Sequence, residues 1–205
     1  TIVTKMLTLL KSGYGKILQL FYKDRKLQLH LREIARQTQM HEPSVTRCLA
    51  LLEKEGILKS MSDGNMKKYS LQKNKKVYGI LTIFDIEKQE KLSRRRKEAI
   101  NIYLKKLREK PIFAVLFGST AKETYKEATE IDLFNVGNKK IETKGAEKEV
   151  DALTAMKVST FQMTYVEFLK ELKLKQDSVI QSAIYTGYPI LNHIAYYEVL
   201  EDERV

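Results

Sequence analysis

The stretch that decides the fold runs from Ile112 to Val136 and reads IFAVLFGSTAKETYKEATEIDLFNV. Its first residues, Ile112 to Phe117, form an apolar run that predicts a buried β-strand. The run ends in Gly118-Ser119. Such a break lets the backbone approach a ligand closely and turns amides and a hydroxyl outward. We therefore expect a strand followed by a small phosphate-binding turn.

A second apolar strand follows, and it begins with acidic residues at alternate positions, Glu130-Ile131-Asp132. Side chains at positions i and i+2 of a strand lie on the same face, so we expect these two carboxylates to lie side by side. Two carboxylates beside a phosphate-binding turn can hold a divalent cation against a polyphosphate. The stretch is therefore our main candidate for a chemical site.

These residues resemble the signature of a known family. Phe117-Gly118-Ser119, a ten-residue spacer and Glu130-Ile131-Asp132-Leu133 are similar to the motif of the nucleotidyltransferase superfamily with the DNA polymerase beta fold, especially its minimal members. The resemblance covers roughly residues 111 to 192. It implies that Gly118 and Ser119 bind a nucleotide triphosphate, and that Glu130 and Asp132 are catalytic acids that hold Mg²⁺.

The chain also departs from that family's pattern. Active members usually add a third carboxylate from a later strand, but the strand predicted here, residues 157 to 163, contains no acid. Ser159, Thr160 or Gln162 takes its place. The spacer lacks the usual glycine and arginine, which leaves Lys122 as the candidate basic group for nucleotide binding. Three readings stay open: a working transferase, a nucleotide- or metal-binding domain without turnover, or acids that are merely charges at a strand end.

Charge divides the chain into two halves. Residues 1 to 110 hold 26 Lys and Arg against 11 Asp and Glu, a net +15, whereas residues 111 to 205 carry a net −4. Such asymmetry predicts two modules, of which the first binds a polyanion. The single cysteine, Cys48, permits no intrachain disulfide, and no apolar run is long enough to span a bilayer. We expect a cytoplasmic protein without a membrane segment.

The basic half has the order of a winged helix: helix, short strand, helix, turn, helix, hairpin. Helices are predicted over residues 14 to 22, 31 to 37 and 43 to 55. Pro43 lies in the first turn of the third, where its missing amide costs nothing, and Gly56 ends that helix. Asp63-Gly64 between two short extended runs predicts the hairpin.

Residues 31 to 58, LREIARQTQMHEPSVTRCLALLEKEGIL, resemble the helix-turn-helix of ArsR- and MarR-like transcription regulators. In such a module the helix after the turn enters the major groove of double-stranded DNA, and the hairpin contacts phosphate or the minor groove. The alternatives are a merely solvated helix face, or a winged helix that binds only protein. Our candidate DNA-binding residues are Glu42, Ser44, Thr46, Arg47, Lys54, Lys67 and Lys68.

Residues 75 to 110 predict a helical connector, either one long helix or two helices with a break near Ser93. An apolar stripe at Val77, Ile80, Leu81 and Phe84 indicates either a homodimer interface or packing on Leu7 and Leu10 of the same chain. The basic run from Arg94 to Lys97 either touches DNA phosphate or is solvated.

The expected fold class is α+β: a winged helix at residues 1–74, a helical connector at 75–110, and an α/β nucleotidyltransferase-like domain with a mixed sheet at 111–205. The expected function is a DNA-binding transcriptional regulator whose second domain binds nucleotide triphosphate and Mg²⁺. The alternative is an active enzyme that transfers a nucleoside monophosphate to a protein, an RNA or a small molecule.

Overall fold

A computed structural model describes residues 12–126 and 129–202 of the 205-residue chain. The chain divides into two compact units, the first ending at Phe84 and the second beginning at Asp85. The division falls inside a helix that begins at Lys75 and ends at Lys91. We describe each unit by itself.

The N-terminal unit contains the predicted helices, short strand and hairpin. Its elements are α1 (Gly13–Lys23), β1 (Leu29–His30), α2 (Leu31–Thr38), α3 (Glu42–Lys54), β2 (Leu58–Asp63), β3 (Met66–Leu71) and the first part of α4 (Lys75–Lys91). The strands form an antiparallel sheet in the order β1-β3-β2. Gly64 adopts a φ of +59°, which suits the two-residue hairpin loop.

The core of this unit is apolar. Ile17 and Phe21 of α1 pack with Ile34 of α2 and with Val45 and Leu49 of α3, and each of these side chains is fully buried. Their spacing of three or four residues places them on one face of each helix, which is why the three helices pack together. The helix-turn-helix is therefore held by apolar contacts.

The connector is two helices rather than one. α4 ends at Lys91, and α5 spans Arg94–Lys106 after an N-cap at Ser93, whose hydroxyl accepts a hydrogen bond from the amide of Arg96. The break that the sequence left open near Ser93 is thus confirmed.

The apolar stripe on α4 is covered within the single chain. Val77, Leu81 and Phe84 have exposed fractions of 1%, 3% and 4%. The alternative packing partners, Leu7 and Leu10, lie outside the described residues. The homodimer stays a prediction.

The C-terminal unit is a mixed four-stranded sheet with helices on both faces. After α5 its elements are β4 (Phe113–Phe117), α6 (Gly118–Ala121), β5 (Ile131–Gly137), α7 (Lys144–Thr154), β6 (Val158–Thr164), α8 (Tyr165–Leu174), α9 (Ser178–Thr186), β7 (Tyr188–Leu191) and α10 (His193–Asp202). The strand order is β6-β5-β4-β7, with β5 and β6 parallel and the other two pairs antiparallel.

Alternation along the strands explains the two packed faces. Leu116 and Leu133 face a cluster that includes Ile100 of α5 and Val150 of α7. On the other face, Phe113 makes edge-on ring contacts with Phe168 of α8 and with Tyr196 of α10. β7 forms one edge of the sheet, and α10 is an element that the sequence did not predict.

The fold class is confirmed as α+β with a mixed C-terminal sheet. One detail of the strand prediction was wrong: β5 begins at Ile131, so Glu130 lies just before the strand and not within it. Among the helices of residues 12–126 and 129–202, none combines the length and the apolar composition that a bilayer crossing requires.

Candidate nucleotide site and DNA-binding face

The turn after β4 brings its backbone against an acidic side chain. Strand pairing sets Phe117 opposite Asp132, and Gly118 follows with a φ of +68°. A Cβ atom built on Gly118 would overlap Oδ2 of Asp132. Glycine is therefore required twice here, once for the backbone conformation and once for the space that the carboxylate fills.

Ser119 carries a polar atom that the protein leaves unsatisfied. Its Oγ is buried and has no hydrogen-bond partner among the described residues. Buried hydroxyls are nearly always paired with protein, water or a ligand, so the Oγ of Ser119 is available to donate to a ligand oxygen at this turn.

The two acids of the motif influence each other electrostatically. Asp132 is half-buried and Glu130 is exposed. Burial raises the pKa of Asp132, the nearby charge of Glu130 raises it further, and the charge of Arg96 opposes both effects. Two carboxylates that repel each other in this way form a place where a cation would be stabilised.

This donor set fits the Mg²⁺ that the family resemblance implies. Within residues 12–126 and 129–202, no three His, Cys, Asp or Glu side chains lie close enough together to hold a metal ion. Mg²⁺ is commonly bound by one or two carboxylates together with substrate phosphates. Glu130 and Asp132 can therefore hold the ion only if phosphate oxygens or water complete its coordination.

The neighbouring strand offers a hydroxyl where a third acid would lie. In the parallel pairing of β5 and β6, Asp132 is aligned with Ser159, and Thr160 follows. Thr160 donates a hydrogen bond to the hydroxyl of Tyr103, 3.0 Å away, so its side chain is already engaged. An uncharged hydroxyl at Ser159 is a much weaker ligand for Mg²⁺ than a carboxylate.

A cavity of about 490 Å³ opens beside Glu130, between α7 and the start of β6. Asp151 belongs to α7 and lines this cavity. The lining mixes acids, lysines and hydroxyls: Glu130, Lys144, Glu147, Lys148, Asp151, Lys157, Val158, Ser159 and Thr160.

Lys122, the predicted basic group, lies directly after α6 with an exposed side chain, and its amide donates to the carbonyl of Gly118.

Two other cationic side chains contact α6, and the sequence did not predict either contact. Lys88 donates from Nζ to the carbonyl oxygen of Ala121, 3.2 Å away, and burial lowers its pKa. Arg96 donates from Nη1 to Oγ1 of Thr120 at 2.7 Å and is fully buried.

Arg96 belongs to the basic run for which DNA phosphate contact was one expectation. A side chain that is 1% exposed cannot reach a phosphate backbone, so that expectation is wrong for Arg96. Its neighbours are also engaged: Arg95 donates to the carbonyls of Thr154 and Ala155, and Lys97 pairs with Glu90. Only the occurrence of four cations at the start of an otherwise amphipathic helix hinted at this role.

The helix after the turn presents most of the predicted DNA-binding residues to solvent. Glu42, Thr46, Arg47 and Lys54 of α3 are exposed, and Ser44 is half-exposed. Nε of Arg47 lies 3.4 Å from the carbonyl of Pro43, an exposed contact that leaves the other guanidinium donors available. Val45, Cys48 and Leu49 point into the core, so the exposed residues form the opposite face of the helix.

The hairpin carries a charge network that changes the role of one predicted residue. Lys68 pairs with Asp63 at 2.8 Å, and Nε2 of His30 lies 3.1 Å from the same carboxylate. These partners lower the pKa of Asp63, with Lys68 the larger cause. Lys67 is exposed, and among the described residues no ion pair involving its ammonium is found, so Lys67 is the better candidate of the two for a phosphate contact.

Comparison with known families identifies both modules. The family model described as the IclR helix-turn-helix domain matches residues 16–60, and the model described as the nucleotidyltransferase domain matches residues 97–186. The chain thus combines an N-terminal helix-turn-helix domain with a nucleotidyltransferase domain, and both predicted resemblances are confirmed. The first module matches the IclR model, whereas the sequence reading had compared it with ArsR- and MarR-like regulators.

Among solved structures, MepR, a transcription regulator of the Staphylococcus aureus multidrug efflux pump MepA, is 24% identical, with coverage of 46% of this chain and 75% of that chain and a TM-score of 0.34. ZitR of Lactococcus lactis is 18% identical, with coverage of 51% and 85% and a TM-score of 0.33. These values are low, so the likenesses carry no further conclusion. No curated protein matches the chain.

Proposed function

We propose that this protein is a DNA-binding transcription regulator whose nucleotidyltransferase domain binds a nucleoside triphosphate together with Mg²⁺. One observation carries the nucleotide part: Gly118 lies against the carboxylate of Asp132, and beside it the buried Oγ of Ser119 has no partner among the described residues. The turn that follows β4 and the carboxylate of Asp132 on β5 therefore meet at one place.

The residues divide the work of binding. Ser119 donates its hydroxyl to a phosphate oxygen, and the exposed ammonium of Lys122 contributes positive charge near the triphosphate. Glu130 and Asp132 hold Mg²⁺, which when bound neutralises phosphate charge. Because no third acidic side chain of the described residues lies close enough to complete a metal site, affinity for the metal and affinity for the triphosphate are expected to depend on each other.

The strand next to the acids favours binding over turnover. Ser159 is aligned with Asp132, and β6 contains no carboxylate. Charge neutralisation at the transferring phosphate is the main demand of this chemistry, and active sites usually meet it with two metal ions. We therefore propose a nucleotide-binding domain, with nucleotidyl transfer as the alternative that a turnover assay decides.

Titration calorimetry with ATP and MgCl₂ tests the nucleotide part. We expect binding that needs Mg²⁺ and is lost or strongly weakened in Asp132→Ala and Ser119→Ala. Glu98→Ala, which removes an exposed acid from α5, is the matched control and should bind as the wild type does. Release of pyrophosphate that disappears in Asp132→Ala would instead support the enzyme. Absence of binding for ATP, GTP, CTP and UTP would overturn the proposal.

We propose that the N-terminal domain binds the second partner, duplex DNA. Its net charge and the exposed side chains of α3 support contact with the major groove of duplex DNA, with Arg47 as the candidate for guanine. Lys54 and Lys67 are proposed phosphate contacts. Whether the DNA-bound form is a homodimer can be measured by light scattering, with one and two copies as the two outcomes.

A further inference from the structure

One buried side chain closes the loop between the two halves of the nucleotide motif. Nη1 of Arg96 donates to Oγ1 of Thr120 at 2.7 Å, and Nη2 donates to the carbonyl oxygens of Lys126 at 3.1 Å and Thr129 at 2.8 Å. Thr120 and Thr129 are the first and last residues of the ten-residue spacer. A single guanidinium on α5 therefore joins both ends of that spacer.

The chemistry of this position suits arginine. The centre of the guanidinium lies 4.0 Å from the centroid of the Tyr125 ring, so the group is covered by an aromatic face. Arginine presents several donors in a fixed plane and is more weakly hydrated than an ammonium. A lysine could contact one of the three oxygens but could not reach all of them from one plane.

The residues next to Thr120 and Thr129, which Arg96 contacts, belong to the proposed nucleotide site. Thr120 follows Ser119, and Thr129 precedes Glu130. A ligand that touches both Ser119 and the acids needs the two segments at a fixed separation before it binds, because ordering them on binding would reduce affinity. The guanidinium fixes that separation without reaching the ligand.

We propose that Arg96 is a positioning residue of the nucleotide site, which holds the turn at Gly118-Ser119 in register with Glu130 and Asp132. This inference rests on the proposed nucleotide binding and deepens it. Arg96 acts through Thr120 and Thr129, and its loss separates the phosphate-binding group from the metal-binding groups while leaving all of them in the protein.

The adjacent arginine is a matched control. Arg95 lies on the same helix and also donates to two carbonyls, those of Thr154 and Ala155, at 2.6 and 3.0 Å. These carbonyls lie at the end of α7 and not in the spacer. Its substitution therefore removes two hydrogen bonds from the same unit without touching the motif, at a side chain that is exposed where Arg96 is buried.

The test compares Arg96→Ala, Arg96→Lys and Arg95→Ala with the wild type by calorimetry with ATP and MgCl₂, and by urea unfolding of each protein. We expect Arg96→Ala and Arg96→Lys to bind about tenfold more weakly or worse, whereas Arg95→Ala keeps wild-type affinity. Millimolar guanidinium should restore binding to Arg96→Ala, and methylammonium at the same concentration should not. Rescue of this kind reports the position of the missing group and not the overall stability.

The outcomes are distinguishable. If the wild type binds and Arg96→Ala binds equally well, the positioning role is overturned and the proposed function stands. If Arg95→Ala weakens binding as much as Arg96→Ala and guanidinium rescues neither, Arg96 only stabilises the fold. If the wild type binds no nucleotide, the proposed function fails, and this inference fails with it.

Discussion

The two units differ in how many polar side chains they bury. Tyrosines and the cysteine aside, the described part of the N-terminal unit buries one polar side chain, Thr38, whose hydroxyl caps the carbonyl of Ile34. The described part of the C-terminal unit buries seven, at Asp85, Arg96, Thr120, Asn135, Thr143, Thr154 and Glu171. The first unit thus has an apolar core and an exposed charged face, whereas the second places charge and hydrogen bonds inside.

This difference matches what each unit is proposed to bind. Duplex DNA is a regular polyanion, and exposed cations on a stable scaffold are enough to bind it, with affinity that depends on salt. A triphosphate with its metal ion needs several groups at fixed separations in a site shielded from water. Arg47 and Arg96 illustrate the contrast, because one is exposed on a helix and the other has an exposed fraction of 1%.

The exposed face of α3 is tested first, because substitution of Arg47 should change a measured free energy more than any other variant. Arg47→Ala should weaken binding to a duplex selected from a random pool by about 1–3 kcal/mol, the usual scale of a bidentate guanine contact. Binding to an unrelated duplex should change much less. Fluorescence anisotropy against salt concentration measures both.

Lys67→Ala is the companion variant. Loss of one phosphate contact should weaken both duplexes alike and reduce the salt slope by about 1. If Arg47→Ala also weakens both duplexes equally, then Arg47 contacts phosphate and the specific role assigned to it is wrong.

The buried network of the C-terminal unit gives the next largest effect. Tyr197 donates its hydroxyl to both carboxylate oxygens of the fully buried Asp85, at 3.0 and 2.8 Å. Tyr197→Phe should lower the free energy of unfolding by about 2 kcal/mol, because a hydrogen bond to a buried carboxylate is lost. Tyr185→Phe, at a position that is 64% exposed, should lower the urea midpoint much less. Equal effects of the two variants would show that the Asp85 network does not stabilise this unit.

A half-buried histidine with a buried ring nitrogen predicts a pH dependence of stability. Nε2 of His193 is buried without a hydrogen-bond partner among the described residues, and burial lowers the pKa of its ring. The unfolded chain therefore binds the proton more readily, so stability falls as pH drops below about 6.5, with a limiting slope of about 1.4 kcal/mol per pH unit. Urea unfolding between pH 7.5 and 5.5 should be less pH-dependent in His193→Gln. The same substitution at the exposed His41 should keep the wild-type dependence.

The smallest expected effect is a change in stability when Asp132, an acid of the proposed nucleotide site, is replaced. Burial and Glu130 raise the pKa of Asp132, so its ionisation lowers the stability of the folded state as the pH rises from the ordinary carboxyl pKa to the raised one, and the full loss is present at neutral pH. Asp132→Asn should therefore unfold at a slightly higher urea concentration than the wild type when both are free of metal and nucleotide at neutral pH. A lower midpoint would mean that the carboxylate stabilises the fold, which contradicts its assignment to ligand binding.

Local patterns were enough to predict most elements. Pro43 and Gly56 mark the two ends of α3, and the apolar runs on either side of Gly118 indicate the two strands that carry the site. Each signal depends on residues close together in the sequence, which is why it can be read without a structure. The resemblance to the nucleotidyltransferase family then named the residues that the structure brings together at Gly118 and Asp132.

Long-range contacts explain what was missed. Arg96 looks solvated within a run of four cations, and only the packing of α5 against the spacer reveals its burial. Asp151 follows Glu130 by 21 positions on another element, so its place in the same cavity depends on how α7 packs beside β6. The sequence places Glu130 inside the strand because Glu130 and Asp132 alternate as strand residues do. The pairing of β5 with its neighbours begins one residue later, at Ile131.

A structure of the protein crystallised with Mg²⁺ and a non-hydrolysable triphosphate tests the central claim most directly. We predict phosphate oxygens within hydrogen-bonding distance of Ser119 Oγ, and metal density contacted by the carboxylates of both Glu130 and Asp132. A triphosphate bound elsewhere, or a metal ion that touches neither acid, would contradict the account of the C-terminal unit.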